Sequence, residues 1–277
     1  MKSSRVVGKI CSRTFYYIKD CSFRELYYWI IFLIRSLIFT SFAKVIEFKT
    51  LLDYLDLQKG EKVCDLGCGQ GNNDLLLSLA GADMYAVDID TGALSLGKRN
   101  AERLQVTVNY SIADLNGAIG FRSDSFHSVL SYCVLEHLSN PEVFLTEVYR
   151  ILRPGGAMAI SVDSFSHPSI SDKFKKTHAK VCDVKRYYSK RDVELLLNEC
   201  GFCVARSSFI IKSRISRILF EMLLCAYFRS EIQGNSQLLR LLKLFTPVFL
   251  VICMMSDYFC DDSNGGYWIA LLAVKET

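Results

Sequence analysis

The chain has 277 residues, 51% of them apolar and 22% charged, enough to bury the core of one large α/β domain with additions and too apolar for a disordered chain. The formal charge is +4, but residues 1–45 hold eight Lys/Arg against Asp20 and Glu25, so the basic excess sits at one end and the body is slightly acidic. Eleven cysteines without a repeating framework argue against a disulfide scaffold and for a reducing, cytoplasmic setting, while the lone Cys200-x-x-Cys203 lacks the second pair that zinc needs, so no metal is expected.

Residues 23–48 read as an apolar helix, with Leu26, Trp29, Ile30, Leu33, Leu37 and Ile38 at helical spacing. Arg35 interrupts it, leaving uncharged runs far short of the ~20 residues a membrane span needs. The stretch also starts late for a secretory signal and lacks a small-residue cleavage site. Its basic flanks and its aromatics Tyr16, Tyr17, Tyr27, Tyr28 and Trp29 fit either a helix lying in a membrane interface or a cap over a soluble domain.

From residue 61 short β-rich runs alternate with helical stretches, which predicts a parallel sheet with crossover helices. Strands are expected near 61–66, 83–89, 106–111, 127–133 and 157–163, with helices over 72–81, 91–103 and 141–152. A helix over 190–200 ends at Gly201, and strands follow at 203–211 and 267–274. Between these last two strands, residues 212–262 are too long for a turn and read as an apolar helical insertion, again with basic flanks. It offers a membrane-facing or lid-like surface, or else an oligomer interface. The expected organisation is thus an N-terminal extension over 1–47, a core over 48–211, the insertion over 212–262 and a final core strand within 263–277.

The segment Val63-Cys64-Asp65-Leu66-Gly67-Cys68-Gly69-Gln70-Gly71 passes from a strand into a helix start. Glycine at three alternating positions allows a turn closed to other residues and lets a ligand touch the backbone. A dinucleotide site uses GxGxxG, whereas this loop is GxGxG preceded by an acid, which disfavours an NAD(P)-dependent reductase. Further along stand Val87-Asp88-Ile89-Asp90, Ala113-Asp114-Leu115, Ser131-Tyr132, Val134-Leu135-Glu136-His137-Leu138 and Leu152-Arg153-Pro154-Gly155-Gly156. Read singly, Asp88 is a helix N-cap, a role better given to Asp90 or Thr91, and Asp114 is a loop acid.

Taken in order, these segments resemble the class I S-adenosylmethionine (SAM)-dependent methyltransferase superfamily, of the methyltransferase type 11 kind, and look similar to its quinone-pathway and small-molecule members. The resemblance covers residues 48–211 and 266–275. It implies a doubly wound, seven-stranded Rossmann-like α/β sheet whose last strand is antiparallel, here with the N-terminal apolar helix and the helical insertion added. It further implies SAM as cofactor, lined at its methionine end by Asp65, Leu66, Gly67, Cys68, Gly69 and Gly71. Asp88 and Ile89 then meet the ribose, Ala113, Asp114 and Leu115 the adenine, and Ser131 and Tyr132 the floor beneath the methyl group. A carboxylate has two oxygens for a cis-diol, and an acid beside the loop suits an ammonium and a sulfonium.

Methyl transfer needs alignment first and, for an oxygen or carbon acceptor, a base. His137, after the fourth strand, is the first candidate, with shaping of the pocket as its alternative role. Glu136, Asp163, His167, His178, Tyr187 and Tyr188 are weaker candidates. The chain has no Pro-Cys for attack on cytosine and no Asn-Pro-Pro-aromatic run for adenine or glutamine amino groups, and its basic residues accompany apolar segments, so nucleic acid is not the expected partner. A small-molecule or lipidic methyl acceptor is expected, met at the inner face of a membrane, with a non-catalytic SAM-binding scaffold as the alternative.

Overall fold

The structure, a computed structural model, describes residues 42–234 and 237–276. The part of the expected 23–48 helix before residue 42 lies outside these residues. The described elements are α1 (Phe42–Leu55), β1 (Lys62–Leu66), α2 (Asn72–Leu79), β2 (Asp83–Asp88), α3 (Thr91–Leu104), β3 (Val108–Ile112), β4 (Phe126–Tyr132), a single 3-10 turn (Leu135–His137), α4 (Pro141–Ile151), β5 (Leu152–Asp163), α5 (Asp172–Cys182), α6 (Lys190–Glu199), β6 (Phe202–Ile210), α7 (Arg214–Gln233), α8 (Gln237–Leu244), α9 (Thr246–Tyr258) and β7 (Trp268–Lys275).

The seven strands form one sheet in the order β3-β2-β1-β4-β5-β7-β6. β1 to β5 run parallel, and β7 lies antiparallel between β5 and β6. The chain therefore winds outward from β1 in one direction to β3, then back across β1 to β4. At this switch point the C-terminal ends of β1 and β4 leave a crevice, where a doubly wound sheet binds its ligand. Alternation along β7 divides the core: Trp268 and Ala270 join the layer of α1, Phe220 of α7 and Leu250 of α9, whereas Ile269 and Leu271 join Phe144 and Val148 of α4 and Val193 and Leu197 of α6.

Local chemistry explains where the elements begin. Asp90 caps α3 by accepting from Gly92 N and Ala93 N, and α6 starts in a reciprocal capping box between Ser189 and Asp192. Three features differ from expectation. α1 continues to Leu55 instead of ending near 48, because Phe42, Val45, Phe48 and Leu51 all bury against the sheet. β5 starts at Leu152, with Pro154-Gly155-Gly156 inside its span, and a register shift against β4 between Phe126 and Ser128 absorbs the irregularity. Helix α5 was not anticipated: it is rich in Lys with few apolar residues, and Ser171 caps it by accepting from Phe174 N.

Candidate functional site

The crevice is built first by the glycine loop. β1 is buried to its end at Leu66, after which Gly67, Gly69 and Gly71 all adopt left-handed backbone with φ of 82°, 55° and 65°. Gly67 N and Cys68 N donate to Val87 O at 2.8 and 3.1 Å, stitching the loop to β2. A Cβ on Gly67 would stand 2.3 Å from Val134 Cγ2, so the loop packs directly on the residue that leaves β4. A Cβ on Gly69 would meet nothing within 4 Å, so this glycine faces open space. Such a cradle exposes backbone to a ligand on one side while being fixed by packing on the other.

Three acids stand around that loop. Asp65 is 1% exposed, and its Oδ1 is a buried acceptor without a hydrogen-bond partner. Burial pushes its carboxyl up to about 7, a hydrogen bond with Asp74 works the other way, and the charges of Asp88 and Glu47 add to the rise. Asp88 accepts from Gly69 N through Oδ2 at 2.7 Å and from Asp90 N through Oδ1 at 2.9 Å, so it binds the loop and the start of α3 together. Ala113 N donates to Asp88 O at 3.2 Å, which sets Asp114 beside the β2 edge. Asp114 is exposed, and hydrogen bonds from Asn116 N and Nδ2 hold its carboxyl below the usual carboxylate range.

Of the other residues singled out by sequence, Ile89 is 64% exposed at the β2 end, Ala113 is half-buried and Leu115 is 6% exposed. Cys68 is half-buried with its thiol pushed up, chiefly by burial. Ser131 Oγ donates to Leu66 O at 3.0 Å, so its hydroxyl links the ends of β4 and β1, and the ring of Tyr132 lies 6.2 Å from that of Phe48. His137 is half-buried on the 3-10 turn with Nδ1 3.0 Å from Asp183 O. A carbonyl can only accept, so Nδ1 is the donor in this hydrogen bond.

A second group gathers where β4 and β5 end. Ligand-type atoms of Cys133, Glu136 and Asp163 lie within 4.8 Å of one another. Lys44 Nζ pairs with Glu47 Oε2 at 2.9 Å, and Glu47 Oε1 accepts from Cys133 Sγ at 3.0 Å and Ser161 Oγ at 2.5 Å. Cys133 holds a left-handed φ of 52°, unusual for a side-chain-bearing residue, as the chain turns out of β4. His178 Nδ1 lies 2.8 Å from Tyr187 OH and 3.8 Å from Asp163 Oδ2. His167 instead turns to Ser169, and Tyr188 packs into the core layer of α4 and α6. Cys200 and Cys203 are free thiols, the former donating to Glu142 O and the latter exposed.

Sequence reasoning missed Lys44, Glu47, Ser161 and Asn116. A charged pair three residues apart inside a helix whose other turns bury apolar groups was the available signal for Lys44 and Glu47. Asn116 carried none: it orients Asp114, and its Oδ1 accepts from Ser139 N at 2.7 Å and Asn140 N at 3.3 Å across a loop 23 residues away.

The residues present fit a SAM molecule: an open glycine face, an orphaned buried carboxylate oxygen for an ammonium, and a second carboxylate with lone pairs to spare for a diol. Residues 64–160 match a family described as a methyltransferase domain. Demethylmenaquinone methyltransferase of Tropheryma whipplei (strain Twist) is 32% identical over 114 residues, covering 41% of this chain and 46% of that protein. Phosphoethanolamine N-methyltransferase 3 of Arabidopsis thaliana is 27% identical over 158 residues, covering 56% and 31%. The chain thus spans about half or less of the length of these curated relatives. The structure of Haemonchus contortus phosphoethanolamine N-methyltransferase 2 in complex with S-adenosyl-L-methionine shares the fold, with a TM-score of 0.60 at 21% identity over 83% of this chain and 52% of that one. The sheet order with its reversed last strand, the acid-glycine loop at the switch point and the matching domain agree: residues 64–160 are similar to a methyltransferase domain, and the chain shares the fold of a protein solved with S-adenosyl-L-methionine.

Proposed function

We propose that the chain binds SAM in the β1–β4 crevice and methylates a small or lipidic acceptor at the inner face of a membrane. The observation that carries the cofactor reading is the convergence of Asp65, the glycine loop and Asp88, joined by the hydrogen bond from Gly69 N to Asp88. Asp65 serves the ammonium, Asp88 and Ile89 the ribose, and Ala113, Asp114 and Leu115 the adenine. The sulfonium supplies an electrophilic methyl group. Ser131 fixes the floor of the crevice through Leu66, Tyr132 and His137 wall the acceptor, and the His137 ring, steadied by Asp183 O, offers Nε2 toward a proton.

Relatives named for demethylmenaquinone and phosphoethanolamine support a small-molecule acceptor. The insertion supports delivery from a membrane. Along α8 and α9, Leu242, Thr246, Leu250 and Cys253 are buried, while Leu241, Leu244, Val248, Val251 and Met255 form an exposed apolar stripe at helical spacing. Exposed Arg214 and Arg240 accompany it, as in a helix that rests on anionic lipid. No helix among the described residues is long and apolar enough to cross a membrane. Calorimetric titration with SAM and with NADH, followed by labelled methyl transfer into a membrane extract, tests the reading: micromolar SAM binding and a labelled product are expected. NADH binding without SAM binding would overturn it.

A further inference from the structure

The cluster at the ends of β4 and β5 has an uneven distribution of donors. Glu47 is saturated: Lys44 Nζ, Cys133 Sγ and Ser161 Oγ all point to its carboxylate. Asp163 takes side-chain hydrogen bonds from Trp268 and Cys133, but Glu136 is not saturated. Glu136 and Asp163 are 0% and 4% exposed, Glu136 Oε1 takes one long 3.3 Å hydrogen bond from Asp163 N, and Glu136 Oε2 is fully buried with no partner. A buried acceptor left empty costs roughly 1–3 kcal/mol, so this one calls for a donor that arrives with a ligand. The cluster also adjoins the place where a methyl group would be presented, because Cys133 and Glu136 flank Val134, whose side chain packs on Gly67.

We propose that Glu136 and Asp163 recognise the methylated atom of the acceptor as an amine nitrogen that enters in its ammonium form. This rests on the SAM-binding reading above. An ammonium brings a positive charge and several N–H donors, whereas a hydroxyl brings one donor and no charge. The groups facing the two carboxyls are Lys44 and Glu47 from α1, Cys133 from the β4 turn, His178 and Tyr187 from α5 and the segment after it, and Trp268 of β7, which hydrogen-bonds Asp163. Lys44 is bonded to Glu47. Burial holds His178 down to about 4, so it stays neutral at pH 7. Three carboxyls therefore share one ammonium. Burial, followed by the charge of Asp163, pushes Glu136 well up; burial, with Lys44 opposing and Glu47 adding, brings Asp163 to about 7. Entry of a cation ionises them and releases protons.

The step balances. A proton passes from the ammonium to the Asp163 or Glu136 carboxylate and on to solvent, the freed nitrogen lone pair forms the N–C bond, and the S–C bond breaks with its electrons left on a neutral thioether. A primary or secondary alkyl amine with an apolar body satisfies both this acidic end and the apolar stripe outside.

Dodecylamine and dodecanol, titrated in detergent micelles into the full chain with and without S-adenosylhomocysteine, test the proposal. Fluorescence of a Trp29→Phe chain, whose remaining tryptophan ring, Trp268, lies 4.8 Å from Lys44 Nζ, reports binding, and calorimetry in two buffers counts protons. The expected result is at least about tenfold tighter binding of the amine at pH 7, with release of about one proton. Glu136→Gln and Asp163→Asn should bring the two ligands within about twofold of one another and remove the proton release, while S-adenosylhomocysteine affinity is kept. Equal binding of amine and alcohol to the wild type would overturn the proposal. So would zinc or magnesium chloride taking over the proton release in an amine-indifferent protein. Failure of S-adenosylhomocysteine to bind, with the amine preference intact, would instead strike the cofactor reading.

Discussion

Asp88 and Gly69 are joined by a 2.7 Å hydrogen bond from the glycine N–H to Oδ2, which ties the end of β2 to the loop after β1. The same carboxylate accepts from Asp90 N through Oδ1. One side chain thereby shapes the cradle and supplies the oxygens proposed for the ribose diol. Asp88→Asn keeps the size but replaces one acceptor oxygen with a donor that opposes an incoming N–H. SAM affinity, measured by calorimetry, is expected to fall about 10- to 100-fold, the loss of one or two charge-assisted hydrogen bonds. An unchanged affinity would place the ribose elsewhere.

The buried acids set the pH response of the ligand-free fold. Asp65 and Asp163 are both raised to about 7, with burial as the first cause, from an ordinary value of 3.8. At pH values between these limits the folded chain holds protons that the unfolded chain has lost. Their contribution is therefore fully present below about 4 and is lost as pH rises through about 7. The melting temperature of the ligand-free chain is expected to be about 5 °C higher at pH 5.5 than at pH 8, by scanning calorimetry. Saturating S-adenosylhomocysteine should narrow the gap, because its ammonium offsets the cost of an ionised Asp65.

The exposed stripe on α8 and α9 makes a separate prediction. Val248→Glu and Met255→Glu alter side chains that are 54% and 61% exposed, so folding and SAM affinity should remain as in the wild type. Co-sedimentation with phosphatidylglycerol vesicles is expected to fall at least about tenfold, and binding of the wild type should weaken with salt as basic residues lose their attraction. Wild-type protein that stays wholly in the supernatant would remove the membrane from the proposed function.

Much of the fold could be read from the chain because its signals are local. Asp90 caps a helix where an acid precedes a helical pattern, and the Gly67, Gly69 and Gly71 spacing announces a loop that needs left-handed backbone. Helix α5 left a weaker trace, since its Lys-rich sequence has few apolar residues and its narrow inner face, Phe174 and His178, packs on Phe165. The cluster around Glu136 was legible only in part. Glu136, Asp163, His178 and Tyr187 stood out as polar groups after strands, but Glu47 joins them from 114 residues before Ser161 in its contact, a pairing no local pattern encodes. Ser131 illustrates the reverse: its place near the end of β4 suggested a ligand contact, while its hydroxyl donates to Leu66 O.

Gly67 and Val134 make the last prediction, and it separates steric necessity from cofactor access. Gly67→Ala must place a methyl 2.3 Å from Val134 Cγ2 on a backbone with φ of 82°, so both overpacking and left-handed strain apply, about 1–3 and 1–2 kcal/mol. Val134→Ala removes the clashing methyls but not the strain. Denaturant titration of the double variant should therefore show it more stable than the sum of the single changes by about 1 kcal/mol or more. Gly69→Ala meets no neighbour and should cost only the strain, yet its methyl projects into the open side of the cradle. It is expected to keep most of the stability and lose most of the SAM affinity, the opposite balance to the Gly67/Val134 double variant. If Gly69→Ala bound SAM as the wild type does, the open face of the loop would not be the cofactor's.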